Sequence, residues 1–243
     1  MPENNIKRVA IIGAGPAGAI AVDAFVREQA FDVIRVFERR EKAGGCWSVR
    51  VGRILNSCPR LTDCNIFRIQ DAHPPNENKS LDLRALAGRT ADWKPAHPIP
   101  ASLPAYTPRS DAVRYSETAS YSYLETNIDV RVMEYSQEPI AGHRTERSVK
   151  THGPDTPFRS GKVVQRWVEG LVDRNGYRDF VEYSTTVELA QKVGGEWRLV
   201  LRRQGAERDY WWWETFDALV VASGHYGYVV ALIYAACMHS GET

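Results

Sequence analysis

Three glycines near the start of the chain have the spacing of a phosphate-binding turn. In order, the turn consists of Gly13, Ala14, Gly15, Pro16, Ala17 and Gly18, which matches the pattern Gly-x-Gly-x-x-Gly. The first glycine permits a tight turn, the second lets the backbone approach a pyrophosphate, and the third allows close packing of helix and strand. A helix that begins here directs N–H groups and a partial positive charge at the anion. The turn therefore predicts a dinucleotide site.

A carboxylate follows the glycines at the distance expected for a ribose ligand. Glu38 stands at the end of the next apolar run, residues 32–37. A carboxylate there can accept hydrogen bonds from both ribose hydroxyls and repels a 2′-phosphate. This predicts FAD or NAD, rather than NADP, at this first site; the alternative is a tight glycine turn that binds no ligand. The short basic cluster of Arg39, Arg40 and Lys42 is interpreted as a solvated loop.

A second glycine pair comes shortly after the carboxylate. Gly44 and Gly45 are followed by Cys46 and Trp47. Two glycines allow the backbone to approach a flavin or its ribityl chain, and an indole offers a flat apolar wall. The alternative interpretation is a glycine turn followed by a core tryptophan.

The elements around the glycines must position them. Residues 7–12 predict a short buried strand, residues 17–29 a helix and residues 32–37 a second strand. Strand, glycine turn, helix and strand form a βαβ unit, whose two strands we expect to be parallel neighbours.

The second half of the chain predicts a helix and further strands. Apolar spacing indicates a helix over residues 162–173. Strands are predicted over residues 181–190, 197–203 and 216–222, with Gly194 and Gly195 as a hairpin turn between the first two. Within the last of these strands, residues 218–222 are all apolar, so we expect them to be buried on both faces. Many prolines make residues 53–114 a surface-running insertion with little regular structure.

Composition excludes several classes of protein. The 243 residues carry a net charge of +1 and 25% charged residues, which gives no reason to expect a nucleic-acid partner. The four cysteines are too few and too irregularly spaced for a disulfide framework or a zinc site, so no metal is expected. A polar start predicts no signal peptide and a cytoplasmic location. The apolar stretch of residues 218–238 is interrupted by Ser223, Gly224, His225 and Gly227, so a membrane anchor is not expected.

Several segments resemble the flavin-containing monooxygenase family. The Gly-Gly-x-Trp element at residues 44–47 is similar to the second cofactor-contacting loop of these enzymes and of the related Baeyer–Villiger enzymes. Leu124, Thr126 and Asn127 resemble a Leu-x-Thr-Asn segment of the family, although Asp129 replaces its usual proline. Residues 216–226 resemble its Phe-Asp-x-Val-x-Val-Ala-Thr-Gly-His strand and turn, with Ser223 in place of the threonine.

The resemblance implies a fold, a reaction and a set of site residues. The fold is an α/β, FAD-binding Rossmann-type domain of three layers with a small β-meander. The reaction is the NADPH- and O₂-dependent oxygenation of soft nitrogen or sulfur nucleophiles in a small-molecule substrate of the amine or sulfide class. Asn127 is expected beside the flavin ring, and His225 has a structural or cofactor-adjacent role. The expected cofactor-binding residues are Gly13, Gly15, Pro16, Ala17, Gly18, Glu38, Arg39, Gly45, Cys46, Trp47, Asn127, Ser223 and Gly224.

The family's second glycine-rich motif, which binds NADPH, has no counterpart in the sequence. We therefore expect a shortened family member: an FAD-binding domain over residues 1–226 and an atypical apolar tail over residues 227–243, with the NADPH-binding domain largely absent. Two alternatives remain at this point. One is a truncated, non-catalytic FAD-binding remnant, and the other is an NAD-dependent Rossmann dehydrogenase, for which no Ser-Tyr-Lys or similar catalytic set is found.

Overall fold

A computed structural model describes residues 6–48, 99–110, 123–173 and 176–224. The helices are α1 (Pro16–Glu28), α2 (Val130–Met133), α3 (Glu146–His152) and α4 (Gly161–Asp173). The strands are β1 (Arg8–Ile12), β2 (Val33–Phe37), β3 (Ala105–Pro108), β4 (Val181–Glu182), β5 (Thr185–Val193), β6 (Glu196–Arg203), β7 (Arg208–Phe216) and β8 (Ala218–Val221). Short 3₁₀ turns cover Gly45–Trp47 and Tyr177–Phe180.

The described elements form three layers. A parallel sheet of order β4-β2-β1-β8 lies in the middle, and an antiparallel sheet of order β3-β7-β6-β5 packs on one of its faces. Helices α1 and α4 cover the other face. This confirms the predicted α/β architecture with a β-meander.

Successive side chains of β1 belong to two different cores, one on each face of the central sheet. Val9 and Ile11 face the helices, where they join a core that includes Val22 of α1 and Val164 of α4. Ala10, between them, faces the meander and belongs to a second core. Because successive side chains point to opposite faces, a strand covered on both sides needs apolar residues at every position.

The βαβ unit, the second long helix and the hairpin are confirmed. Strands β1 and β2 pair in parallel, and α1 joins them within one residue of the predicted bounds. Helix α4 begins one residue before the predicted helix and ends at the predicted residue. The hairpin between β5 and β6 turns at Gly194 and Gly195, whose φ angles of 60° and 97° favour glycine.

The single strand predicted over residues 181–190 is wrong. Glu182 ends β4 in the parallel sheet, and Thr185 begins β5 in the antiparallel sheet. Between them Ser184 adopts a φ of 54°, which redirects the backbone. Two residues thus connect one sheet to the other. Because both short strands have the residue pattern of a strand, the sequence does not distinguish them from one continuous strand.

The strand predicted over residues 216–222 also consists of two pieces. Strand β7, which the sequence analysis did not identify, runs through the tryptophan-rich segment and ends at Phe216. The chain then crosses at Asp217 and continues as β8 in the parallel sheet. The expectation that residues 218–222 are buried on both faces is wrong for Val221, which is 70% exposed. Strand β8 is the outermost strand of the described sheet, so its outer side lacks a neighbouring strand among the described residues.

The expectation of little regular structure between residues 53 and 114 needs one correction. Its described part, residues 99–110, contains β3, which pairs with β7 at the edge of the antiparallel sheet. Pro108 ends this strand, and an edge strand tolerates proline because only one of its sides pairs. The rest of the insertion and the apolar tail of residues 227–243 lie outside the described residues.

Candidate functional site

The glycine turn (residues 13–18) forms the start of α1. The N–H of Gly13 donates to the carbonyl of Phe37 at 2.9 Å, which fixes the turn to the end of β2. Pro16 occupies the first turn of the helix, whose first turn carries no acidic residue and whose N-cap, Gly15, provides no side-chain cap. Proline lacks the N–H that would be unpaired there and has the right φ. The helix therefore begins with its backbone donors uncovered by side chains of its own.

The three glycine positions of the turn differ in whether a side chain would fit there. A Cβ on Gly18 would lie 1.9 Å from the carbonyl oxygen of Gly13, and one on Gly13, at φ 99°, would lie 2.6 Å from that of Ala222. These two glycines are required for the chain itself to pack. A Cβ on Gly15 would meet the Cα of Gly45 at 3.4 Å and its backbone nitrogen at 3.9 Å, both ordinary contacts. The fold alone thus gives no steric reason for glycine at position 15.

Glu38 is built into the turn by hydrogen bonds to both of its carboxylate oxygens. Oε2 accepts from the N–H of Ala14 at 2.8 Å, and Oε1 accepts from the N–H of Arg40 at 2.8 Å. The side chain is only 5% exposed. Backbone donors fix its orientation, and each carboxylate oxygen has a second lone pair. Whether Glu38 contacts a ribose stays a prediction.

The main chain of Glu38 is also held on both sides. Its N–H donates to the carbonyl of Glu182 at 2.9 Å, and its carbonyl accepts from the N–H of Thr185 at 2.9 Å. These two partners are the last residue of β4 and the first residue of β5. The carboxylate thus lies where the chain passes between the sheets.

The Gly-Gly loop (residues 44–48) packs directly on the glycine turn. The N–H of Gly44 donates to the carbonyl of Ala14 at 3.1 Å. Gly45 has a φ of 56°, and a Cβ there would lie 3.0 Å from the Cα of Gly15. The guanidinium of Arg40 donates to the carbonyl of Gly45. The two glycine-rich segments therefore meet at Gly15 and Gly45.

Two side chains of this loop differ in their surroundings. Trp47 is half-buried and packs against the helix-side core, which is the contact expected of a structural tryptophan. Burial raises the pKa of the Cys46 thiol, and the positive charge of Arg40 opposes that effect. Their assignment to a cofactor site stays a prediction.

The segment that carries Asn127 joins the site through α4. The N–H of Thr126 donates to the carbonyl of Arg159 at 2.8 Å, and the N–H of Gly161 donates to the carbonyl of Leu124 at 2.7 Å. Asn127 follows directly and is exposed. The Gly-Gly loop packs on the same helix, since a Cβ on Gly44 would lie 3.7 Å from Cγ of Gln165. The first turns of α4 thus hold both segments.

Of two further expected residues, Ser223 lies beside the glycine turn and Gly224 follows it in sequence. The N–H of Ala222 donates to the carbonyl of Ile12 at 2.9 Å. Ser223 follows, and its Cα would lie 3.3 Å from a Cβ on Gly13. Ser223 and Gly224 are exposed, with Gly224 at a φ of 72°. The structure therefore brings Ser223 to the glycine turn, whereas His225 lies outside the described residues.

Two further expected residues are exposed, and the contacts of Arg40 were not expected from the sequence. Ala17 and Arg39 have exposed side chains. Arg40, interpreted as part of a solvated loop, instead bridges Glu38 and Gly45. No sequence pattern marks such a bridge. In the part of the chain that the structure describes, there is no group of three or more His, Cys, Asp or Glu side chains placed to hold a metal ion. None of the described helices has the length and apolar character needed to cross a membrane.

The comparisons with known proteins point to one group of enzymes. No family model matches the chain. The chain is 25% identical to the flavin-containing monooxygenase ustF2 of Aspergillus flavus, over 90% of its own length and 40% of that protein. It is 22% identical to the trimethylamine monooxygenase of Roseovarius sp., over 90% of its own length and 36% of that protein. The chain thus spans about two fifths or less of the length of these relatives.

The structure comparison supports the same fold. The S-allyl-L-cysteine S-oxygenase of Allium sativum matches 90% of this chain and 36% of its own, with a TM-score of 0.50 and 22% identity. At this identity the likeness shows the fold alone. Together with the sequence similarity, it shows that the chain is related, along nine tenths of its length, to part of the flavin-containing monooxygenases.

Proposed function

We propose that the chain is the FAD-binding part of a flavin-dependent monooxygenase. In this proposal the glycine turn holds the FAD diphosphate and Glu38 holds the ribose of its adenosine half. The reaction is the oxygenation of a soft nitrogen or sulfur atom in a small molecule, with NADPH as reductant and O₂ as oxidant.

The observation that carries the proposal is that the fold gives no steric reason for a glycine at position 15. Gly13 and Gly18 are explained by backbone atoms that a Cβ would strike, whereas Gly15 has no such atom close to it. Gly15 is the N-cap of α1 and provides no side-chain cap. Backbone N–H groups and the helix dipole there favour an anion, and a residue without a side chain lets a diphosphate come close. The residues present therefore fit a dinucleotide.

The described residues act by binding and orienting. Glu38 is fixed by two backbone N–H groups, so its remaining lone pairs point in a set direction before any ligand arrives. Asn127 is held by the neighbouring Thr126, whose backbone is hydrogen-bonded to the segment before α4. FAD, when bound, supplies the redox chemistry, and the protein supplies position and electrostatics. We propose that the exposed amide of Asn127 faces the flavin end of the site.

The substrate class rests on the relatives. One is named for trimethylamine and another for the sulfur atom of S-allyl-L-cysteine. Both are small molecules that carry a nitrogen or sulfur nucleophile. Such a reaction requires no side-chain acid–base pair, so the lack of a convincing catalytic triad or dyad in the sequence is no evidence against it.

A titration with FAD tests the proposal. Wild-type protein and the variant Gly15→Ala are titrated and the dissociation constant is measured from flavin fluorescence. We expect wild type to show the absorption spectrum of a bound flavin and Gly15→Ala to lose it, because the new methyl group occupies the place of the diphosphate. The matched control is Gly161→Ala, also at the start of a helix and also with a nearest Cβ contact of 3.4 Å. We expect this control to bind FAD like wild type.

Absence of bound flavin in folded wild-type protein would refute the assignment. Equal FAD content in Gly15→Ala and wild type would refute the role of Gly15. NADPH oxidation with FAD and an amine or sulfide added then tests the reaction separately. Flavin binding without turnover would support a cofactor-binding part that does not act alone.

A further inference from the structure

Arg40 connects the two glycine-rich segments of the site. Its backbone N–H donates to Oε1 of Glu38 at 2.8 Å, and its guanidinium donates to the carbonyl of Gly45. Glu38 in turn accepts the N–H of Ala14, inside the glycine turn. One residue thus joins the carboxylate at the end of β2 to the Gly-Gly loop.

The hydrogen bond from Arg40 to Gly45 holds the Gly-Gly loop at a point where it lies close to the glycine turn. Gly45 approaches the Cα of Gly15 so closely that a Cβ on Gly45 would be 3.0 Å from it. Its φ of 56° is available to glycine at little cost but gives the loop no stiffness of its own. Among the described residues, the loop is held on this side by the bond from Gly44 to Ala14 and by the guanidinium of Arg40. A charged donor makes the second bond the stronger of the two.

We propose that Arg40 is a positioning residue that holds the Gly-Gly loop closed against the glycine turn and thereby sets the affinity for FAD. The proposal rests on the proposed function for its ligand. The closed loop itself is a property of the chain without ligand, and it can be measured on its own.

Cys46 provides that separate measurement. It lies within the loop, next to Gly45, and is half-buried. Pulse alkylation followed by peptide mass spectrometry reports the reactivity of this thiol alone. Burial raises the pKa of Cys46 and the charge of Arg40 partly opposes that rise, so removal of this charge from a closed loop leaves less thiolate and slows alkylation. Opening of the loop exposes the thiol and speeds alkylation. The two effects have opposite signs.

The test compares Arg40→Met, Arg40→Lys and Lys42→Met. Arg40→Met keeps the backbone N–H to Glu38 and removes the side-chain donor, whereas Arg40→Lys keeps a charged donor. Lys42→Met is the matched control, since Lys42 is exposed and lies on the same segment with the same charge. Thermal unfolding monitored by circular dichroism confirms that each variant is folded.

We expect Arg40→Met to alkylate Cys46 several-fold faster than wild type and to bind FAD about tenfold more weakly, the effect of a lost charged hydrogen bond. Arg40→Lys should restore part of both values, and Lys42→Met should leave both unchanged. Slower or unchanged alkylation in Arg40→Met would overturn the proposal. So would an FAD dissociation constant equal to that of wild type. If wild type binds no FAD, the proposed function fails, and faster alkylation in Arg40→Met still supports the role of Arg40 in closing the loop.

Discussion

Arg202 in the antiparallel sheet joins two buried carboxylates, and its removal is expected to cost much of the stability of the fold. Its Nε donates to Glu188 at 2.8 Å and its Nη1 donates to Asp209 at 2.7 Å. The side chain of Arg202 is 7% exposed, and both carboxylates are fully buried. The variant Arg202→Met removes the charge and keeps most of the apolar stem.

The size of the effect follows from the two bonds. A hydrogen bond to a charged group contributes about 1.5–3 kcal/mol, so two of them contribute about 3–6 kcal/mol. Measurements on buried pairs that lose one partner give about 3–5 kcal/mol, because the remaining charge stays buried without compensation. We expect Arg202→Met to lower the free energy of unfolding by about 3–5 kcal/mol, a large part of the roughly 5–15 kcal/mol of a typical domain.

Urea unfolding followed by tryptophan fluorescence measures this loss. The ring of Trp211 lies 5.7 Å from the Arg202 guanidinium, so its emission reports on the same region. The control is Arg203→Met, the next residue, whose side chain is 45% exposed and pairs with Glu182. An exposed ion pair contributes at most about 1 kcal/mol, so this control should change little.

A triple variant separates charge burial from packing. Replacement of Arg202, Glu188 and Asp209 together by Met, Met and Leu removes the buried charges as a set. Such replacements are often neutral or stabilising by about 1–4 kcal/mol. We therefore expect the triple variant to be more stable than Arg202→Met. If Arg202→Met costs no more than Arg203→Met, or if the triple variant is less stable than the single one, the reasoning is wrong.

Three further outcomes are expected. Tyr177→Phe, which removes the bond from the buried hydroxyl to Oδ1 of Asp23 at 2.9 Å, should lower the free energy of unfolding by about 1–2 kcal/mol in urea, with FAD affinity unchanged; no loss of stability would contradict this. Hydrogen bonds from the side chain of Arg8, and then from backbone N–H groups, hold the pKa of Asp217 below its usual value. The unfolded chain then binds more protons near pH 4, so this contribution to stability is present above about pH 4 and is lost as the pH falls through the folded pKa. Asp217→Asn should flatten the stability profile in that acidic range, and an unchanged slope would refute it. Gly18→Ala should destabilise the fold by about 3 kcal/mol or more, because the methyl group meets backbone 1.9 Å away; a thermal midpoint equal to that of Gly15→Ala would contradict this.

Local rules predicted the βαβ unit and the helix α4 well. The glycines mark the turn after β1, β-branched residues mark the strand and the helical spacing marks α4, so each signal lies within a few residues of the element it predicts. The resemblance to a family supplied the layer order, which local patterns do not contain.

Other features depend on contacts distant in sequence. Nothing in the pattern near Ser184 distinguishes a crossing between sheets from a continuous strand. The exposure of Val221 depends on which strands lie beside β8, and the buried state of Arg202 depends on two carboxylates from neighbouring strands. The bond from Arg40 to Gly45 could not be predicted for the same reason, because a guanidinium that donates to a backbone carbonyl produces no periodic pattern in the sequence.

The position of Glu38 between β4 and β5 has a consequence for shortened versions of the protein. Its N–H and carbonyl are bonded to Glu182 and Thr185, and the same residue orients Ala14 in the glycine turn. The antiparallel sheet therefore helps to hold the residue that accepts a hydrogen bond from the glycine turn. Excision of the antiparallel sheet would remove Thr185, and with it one of the two main-chain hydrogen bonds that hold Glu38, so a minimal version would have to retain this sheet or replace that contact.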